Sequence, residues 1–496
     1  MLNQIMRIAY FITTCFIFFS CSSSEKKVPY PFEEEYELCH KYVSDFPDST
    51  QLSIAIINDD NVRFIGFEKT VETLLPTDNK YAVFEIGSIT KVFTATILAQ
   101  LIKKNKICAD DPIEKYLPYS LNSTNYDNKA ITIKTLTNHT SGFPRMPDNY
   151  NDIINKGVYS TTILDDFLRN ELTIRTNPGH EYHYSNLGYA ILGYLTELLQ
   201  QKEYEEILQQ MICEKYGLNY TSTRLDNVND KIISGRDSSG FKIPNRSQGV
   251  FNSAGGIMSN VVDLTNFVKA NFNNDSILEY QRNETYRRGN FGMALGWQIS
   301  YIGNKNCKWY HHNGGMDGYR SSCFLDVNTK TAVVILSNLS AVHPVNDNID
   351  SLAFQLLKRE FLKNTTYDEC GNSFIERALK NGWGAHARDS LLKIEHPGNS
   401  ITGVWSQTNN NRLITRTFTS DNKVQTDFYR DKEIDVWGYY KIEGNQIIFT
   451  DIGGAACAED GIYEYKIKND TLIFTPIKDN CEGRKAGLLK NWIRIE

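Results

Sequence analysis

The string Phe84-Glu85-Ile86-Gly87-Ser88-Ile89-Thr90-Lys91 sets a serine three residues ahead of a lysine at the head of an apolar stretch. If that stretch is helical, positions i and i+3 share a face and Lys91 stands beside Ser88. A serine hydroxyl is a weak nucleophile until a base takes its proton. A lysine amine can take it once burial or a neighbouring cation lowers its pKa from about 10.4. A helix N-terminus also favours the negative charge that develops during attack. The same spacing has a plainer meaning, a helix cap followed by a surface lysine, and only partners elsewhere in the chain separate the two.

Two further strings supply candidate partners. Asn177-Pro178-Gly179-His180-Glu181-Tyr182-His183-Tyr184-Ser185-Asn186-Leu187-Gly188-Tyr189 carries a phenol and a carboxamide two residues apart. A phenol of pKa about 10 needs cations nearby to accept a proton at neutral pH; the alternative is a capping turn before a helix, for which Ser and Asn are good residues. His311-His312-Asn313-Gly314-Gly315-Met316-Asp317-Gly318-Tyr319-Arg320-Ser321 is glycine-rich in a way that lets a strand edge approach another chain closely. The His-His doublet lacks a carboxylate at zinc-site spacing, so no metal or other cofactor is expected.

In this order the three strings resemble the serine β-lactamase and penicillin-binding superfamily, in its class C-like and DD-carboxypeptidase branch: Ser-x-x-Lys, Tyr-x-Asn, and His-x-Gly where many members carry Lys-Thr-Gly. The resemblance implies Ser88 as nucleophile and Lys91 and Tyr184 as its proton-sharing partners. Asn186 would hold Lys91 and a substrate amide, with His312, Asn313, Gly314 and Gly315 as the strand that binds substrate. The amides of Ser88 and Gly315 would form an oxyanion hole, worth about 3 kcal/mol per donor. Asp110 to Pro118, Leu136 to Pro144 and Ser253 to Ser259 extend the likeness as structural turns, and His139 among them is counted as scaffold rather than site. Where β-lactamases usually carry lysine, His312 offers a smaller positive field at neutral pH, so binding of carboxylate-bearing substrates is expected to weaken as pH rises through the histidine's titration. The implied activity is hydrolysis through an acyl-enzyme of D-amino-acid peptides, amides or esters, peptidoglycan-derived ones included. A β-lactamase or carboxylesterase of the same fold is the alternative. From another class comes a non-catalytic receptor for wall fragments or penicillin.

The elements that must position these residues are legible in outline. Gln51 to Asn58 and Val62 to Phe67 flank Asp59-Asp60-Asn61 as a hairpin, and Ser322 to Asp326 with Thr331 to Asn338 form another. Ser88 to Lys104, Gly188 to Gln201 and Ile349 to Leu362 show helical spacing. Strands near both ends with helices between predict an α+β domain over 45–365, an antiparallel sheet flanked by helices. Residues 366–397 read as a connector, and 398–496 as a small all-β barrel with turns at Asp421 to Lys423, Glu443-Gly444-Asn445 and Lys468 to Asp470. Gly403-Val404-Trp405, Gly461-Ile462-Tyr463 and Trp492 are similar to lipocalin-like domains, a likeness with which a Cys457–Cys481 disulfide fits. Such barrels either hold a small apolar ligand or fill with side chains.

Met1 to Arg7 followed by the apolar run Ile8 to Phe19 is signal-peptide grammar, and Ser20-Cys21 resembles a lipoprotein cleavage site with Cys21 as the lipidated residue. Residues 1–21 are thus expected to be removed as a signal and 22–44 to act as a tether, placing the protein on a bacterial cell envelope through a lipid anchor. A net charge of -6 over 496 residues, with signs interspersed, offers no basic stripe for nucleic acid.

Overall fold

A computed structural model describes residues 32–121, 129–288, 291–301, 308–364, 401–409, 412–420, 422–427, 436–454, 460–468 and 470–495. The signal segment with Cys21, the connector 366–397 and Cys457 lie outside the described residues.

The first domain is organised by one antiparallel sheet. Its strands are β1 (Gln51–Asn58), β2 (Asn61–Lys69) and β3 (Leu74–Pro76), joined late in the chain by β8 (Tyr286–Arg288), β9 (Phe291–Met293), β10 (Gln298–Tyr301), β11 (Lys308–Met316), β12 (Tyr319–Asp326) and β13 (Thr331–Ser337). Between the two groups come β4 (Phe84–Glu85), paired with β7 (Met258–Ser259), and the small ribbon of β5 (Gly235–Arg236) and β6 (Lys242–Ile243). The sheet order is β3-β2-β1-β13-β12-β11-β10-β9-β8, so the first and last strands of the domain meet at its centre, with Leu52 opposite Ser337 and Asn58 opposite Thr331.

Period-two alternation divides the central strands between two cores. Leu52, Ile54 and Ile56 of β1 and Val333 and Ile335 of β13 face a layer built by α1 (Glu33–Val43) and the helix Asn348–Asn364. Ala55, Ile57, Ala332, Val334 and Leu336 face the larger core. That second layer holds α2 (Thr90–Lys103), α3 (Ile133–Thr137), α4 (Tyr150–Ile154), α5 (Thr161–Asn170), α6 (Asn186–Gln200), α7 (Tyr204–Leu208), α8 (Glu214–Tyr216), α9 (Asn252–Gly255), α10 (Val261–Ala270) and α11 (Ser276–Gln281). The helix Asn348–Asn364 is α12. The apolar residues of α2 run all round it, as expected of a helix with no solvent face, and Thr90 through Leu101 are buried.

Part of the expected tether is instead structural. Within 22–44, α1 lays Cys39, Tyr42 and Val43 against α12, and Arg63 pairs with Glu35 of α1 and Glu360 of α12. Three adjacent acids in its first turn suit the positive end of the helix dipole.

The C-terminal strands β14 (Gly403–Asn409), β15 (Arg412–Phe418), β16 (Lys423–Asp427), β17 (Val436–Glu443), β18 (Gln446–Gly454), β19 (Gly461–Lys468), β20 (Thr471–Lys478) and β21 (Trp492–Arg494) close into an antiparallel barrel, with α13 (Glu482–Leu488) between the last two. Trp405, Phe418, Phe449, Tyr463, Phe474 and Trp492 pack as its core. Cys481 is disulfide-bonded, and Cys39, Cys108, Cys213 and Cys323 are free.

Candidate active site

The turn that carries Ser88 is tight because glycine permits it. Gly87 adopts φ +50°, and a Cβ there would stand 2.7 Å from the backbone nitrogen of Gly315. A single 3₁₀ turn, Gly87–Ile89, then feeds α2. Lys91 follows one turn later and is fully buried, its Nζ donating to Ser88 Oγ at 3.0 Å and to the Ala254 carbonyl at 2.6 Å. The predicted i, i+3 pairing is therefore a hydrogen bond, and Lys91 is not a surface lysine.

Tyr184 reaches the same place from the start of α6. Ser185 caps that helix, its Oγ accepting from the Gly188 amide at 2.9 Å and donating to the Pro144 carbonyl at 2.7 Å. The capping turn is present at Ser185, and it leaves the Tyr184 ring beside Lys91 and His139. Lys91 Nζ lies 5.0 Å from the Tyr184 ring centroid and the Arg145 guanidinium lies 5.0 Å from it, supplying the cations that a phenol working as a base requires. Asn186 donates to the Met146 sulfur at 3.4 Å.

The third string forms β11, whose pairing with β10 stops at His311 opposite Gln298. From His312 to Met316 that side of the strand has no strand neighbour among the described residues, and it lies against the Ser88 turn. Ser321, opposite Gly314, donates from Oγ to the Ile86 carbonyl at 2.8 Å and ties the sheet to the turn. Nothing larger than glycine fits at 314, where a Cβ would come within 2.0 Å of that same carbonyl. The Gly315 amide and the turn carrying Ser88 are therefore neighbours, as an oxyanion hole demands.

Alternation along β11 sends its side chains to opposite faces. His312 turns toward Lys91 and Tyr184, its ring 6.3 Å from the phenol ring. Asn313 turns the other way and donates to Asp350 of α12 at 2.8 Å, so its side chain supports the strand rather than the cleft. Asp350 also pairs with Arg320, opposite Gly315.

The electrostatic expectation for His312 changes. Its Nδ1 donates to the Asn313 carbonyl at 2.6 Å, which leaves Nε2 as a buried acceptor without a partner among the described residues. Burial, and then the Lys91 charge, push its pKa down to about 3. His312 is a neutral imidazole at every pH from 5 to 9, and the expected weakening of carboxylate binding as it titrates there has no basis.

Two residues outside the predicted site border it. His139, at φ +60°, stacks on Tyr184 with ring centroids 4.3 Å apart and accepts the Ser185 amide at Nδ1 over 3.1 Å. Burial and then Lys91 hold it neutral, well below the usual histidine range. Scaffold it is, but scaffold for Tyr184 itself. Arg145, just after the Leu136 to Pro144 string, carried no signal beyond its place there.

Comparison with known proteins bears on the family and the fold. The beta-lactamase family model matches residues 47–357. "Protein flp" of Staphylococcus aureus (strain MRSA252) is 24% identical over 272 residues, 52% of this chain and 53% of that protein. "Beta-lactamase-like protein 2" of Dictyostelium discoideum is 27% identical over 251 residues, 48% of this chain and 45% of that one. The chain thus spans about half the length of these curated relatives. Among solved structures, an octameric penicillin-binding protein homologue from Pyrococcus abyssi superposes with a TM-score of 0.60 at 20% identity, covering 94% of this chain and 100% of the other. A beta-lactamase/D-alanine carboxypeptidase from Pseudomonas syringae gives 0.56 at 20% identity, covering 66% and 98%. At that identity the superpositions speak for the fold, and the family match over 47–357 includes every residue from Ser88 to Gly315 discussed above: the chain belongs to the beta-lactamase family.

Proposed function

We propose that the protein is a serine hydrolase that works through an acyl-enzyme on Ser88, with D-amino-acid peptides, amides or esters as substrates. The observation that carries this reading is the 3.0 Å hydrogen bond between Lys91 Nζ and Ser88 Oγ, made by a fully buried lysine whose ammonium also lies over the Tyr184 ring. In its neutral form the Lys91 amine, or the Tyr184 phenolate, accepts the Ser88 proton as Oγ attacks the carbonyl carbon. The oxyanion forms against the amides of Ser88 and Gly315. The proton returns through Tyr184 to the leaving group, and water then repeats the sequence to release the acid.

His312 narrows the substrate. A neutral acceptor replaces a cation at this position, so the site favours substrates that offer an amide or hydroxyl donor there over those that present a carboxylate. Peptidase or esterase action follows more naturally than dedicated β-lactam hydrolysis.

Intact-mass measurement with a p-nitrophenyl ester and with a penicillin tests the proposal. One acyl adduct per chain, absent in Ser88→Ala, is expected; no adduct from either reagent on folded protein overturns it.

A further inference from the structure

We propose that a cavity beside β4, separate from the Ser88 cleft, binds a small organic molecule through its primary ammonium group, seated on the carboxylate of Glu85. The cavity has a volume of about 440 Å³, in the range of small-ligand sites. Its walls include Glu85, Tyr194, Glu197, Tyr204, Asn245 and Met258, while Ser88, Lys91, Tyr184 and His312 do not line it.

The charge balance of the walls favours a cation. Glu203 is engaged by Arg224. Glu205 is enclosed by donors from Ser222, Thr223 and Gln209. Glu85, Glu197 and Asp226 remain, against Arg246 alone. Glu85 is the buried member, at 8% exposure. Its Oε1 accepts from Asn245 Nδ2 at 2.5 Å, and its Oε2 has no hydrogen-bond partner among the described residues. That oxygen is not among the buried unpaired atoms, so it opens to the cavity, where a largely buried carboxylate gains from a donor or a cation set against it. Among the described residues no group of three or more metal-ligating side chains occurs, so an organic cation suits the site better than a metal ion. The rings of Tyr194 and Tyr204 offer walls for an aromatic or alkyl body and for cation–π contact.

Burial, with the Asp317 carboxylate adding to it and the Asn245 hydrogen bond opposing it, pushes Glu85 up to about 7. The groups facing it are Asn245, Asp317 and the Tyr319 phenol, which itself accepts from Asn245. An ammonium needs the ionised acid, so its affinity falls as pH drops below about 7, approaching tenfold per unit.

The test uses the full chain carrying Ser88→Ala, so that acyl chemistry at the cleft plays no part. 2-Phenylethylamine and its neutral counterpart 2-phenylethanol are titrated by calorimetry from pH 5.5 to 8.5. The amine is expected to bind at least tenfold more tightly at pH 8 and to lose that margin toward pH 5.5. Glu85→Gln is expected to abolish the margin, and Glu197→Gln to reduce it. Equal affinities for amine and alcohol, or a margin that survives Glu85→Gln, overturn the proposal. If Glu85→Gln does not fold, a margin that stays flat with pH in the parent chain overturns it instead.

Discussion

Two buried cations, Arg484 in the barrel and Lys91 beside Ser88, are satisfied differently. In the barrel, Arg484 is matched to carboxylates, with Nε at 2.7 Å from Asp479 and Nη1 at 3.1 Å from Asp451. The Tyr463 hydroxyl completes that network on Asp479. In the Ser88 cleft, Lys91 donates to a hydroxyl and a carbonyl and lies over the Tyr184 and Tyr189 rings. A charge answered by full countercharges is fixed and serves stability. A charge held by neutral dipoles keeps its influence over a proton on the neighbouring hydroxyl. For Arg484 and Lys91 the difference lies in the kind of oxygen each touches, although the barrel also holds Arg416 on the Thr426 hydroxyl and over the Trp492 ring.

The sharpest way to break this contrast is at Ser88. Ser88→Ala is expected to lower turnover of a p-nitrophenyl ester by about 10⁶-fold with the unfolding midpoint retained; comparable turnover in the variant removes Lys91 from the chemistry. Tyr184→Phe keeps the ring against Lys91 and loses only the hydroxyl, so a fall in acylation rate of about 10²- to 10⁴-fold is expected in stopped-flow measurements. On the barrel side, Asp479→Ala leaves Arg484 short of its main partner and is expected to cost about 3–5 kcal/mol in urea unfolding monitored by Trp fluorescence. The acylation rate at Ser88 should change less than twofold, and a parallel loss of rate and stability erases the distinction.

A smaller effect tests the neutrality of the cleft. The unfolded chain protonates a histidine near 6.5, whereas folded His312 waits until about 3 and His183 until about 4, burial and then Arg175 being the cause for the latter. Between those values the unfolded state binds more protons, so stability falls as pH drops from about 6.5 toward 3. His312→Asn removes one such site, and its unfolding free energy should depend on pH less steeply by up to one proton; identical slopes contradict the assignment. Smallest of all is the effect of His312→Lys on preference. A several-fold gain in acylation by benzylpenicillin relative to a neutral ester is expected, with no inflection between pH 5 and 9 attributable to His312 in the parent chain. An inflection there that His312→Lys removes restores a titrating histidine.

Much of this arrangement was legible beforehand, and the failures share a cause. The Ser88, Tyr184 and Gly314 strings, the two hairpins and α2 follow from spacing and apolar periodicity, which are local. The α1 helix escapes the reading although Tyr36, Cys39, Tyr42 and Val43 recur at helical spacing, because the acids of its first turn and its polar neighbours resemble a tether. Asn313 was assigned to the substrate although strand alternation, applied to its own neighbours, sends it to the face opposite His312. The protonation of His312 depends on burial against Lys91, 221 residues away in sequence, and no local pattern carries that. Arg145 became visible only when α6 brought Tyr184 to it.

The central ladder has a consequence in time. Leu52 emerges early in synthesis and finds its partner only when Ser337 has been made, 285 residues later. Closing so long a loop makes this pairing a late, slow event. The cleft inherits the delay, since Ser88, Tyr184 and Gly315 come from three stretches and the last belongs to β11, joined to that ladder through β12. A prematurely ended chain therefore carries the serine without the edge that would stabilise attack by it, and reactivity arrives together with completion.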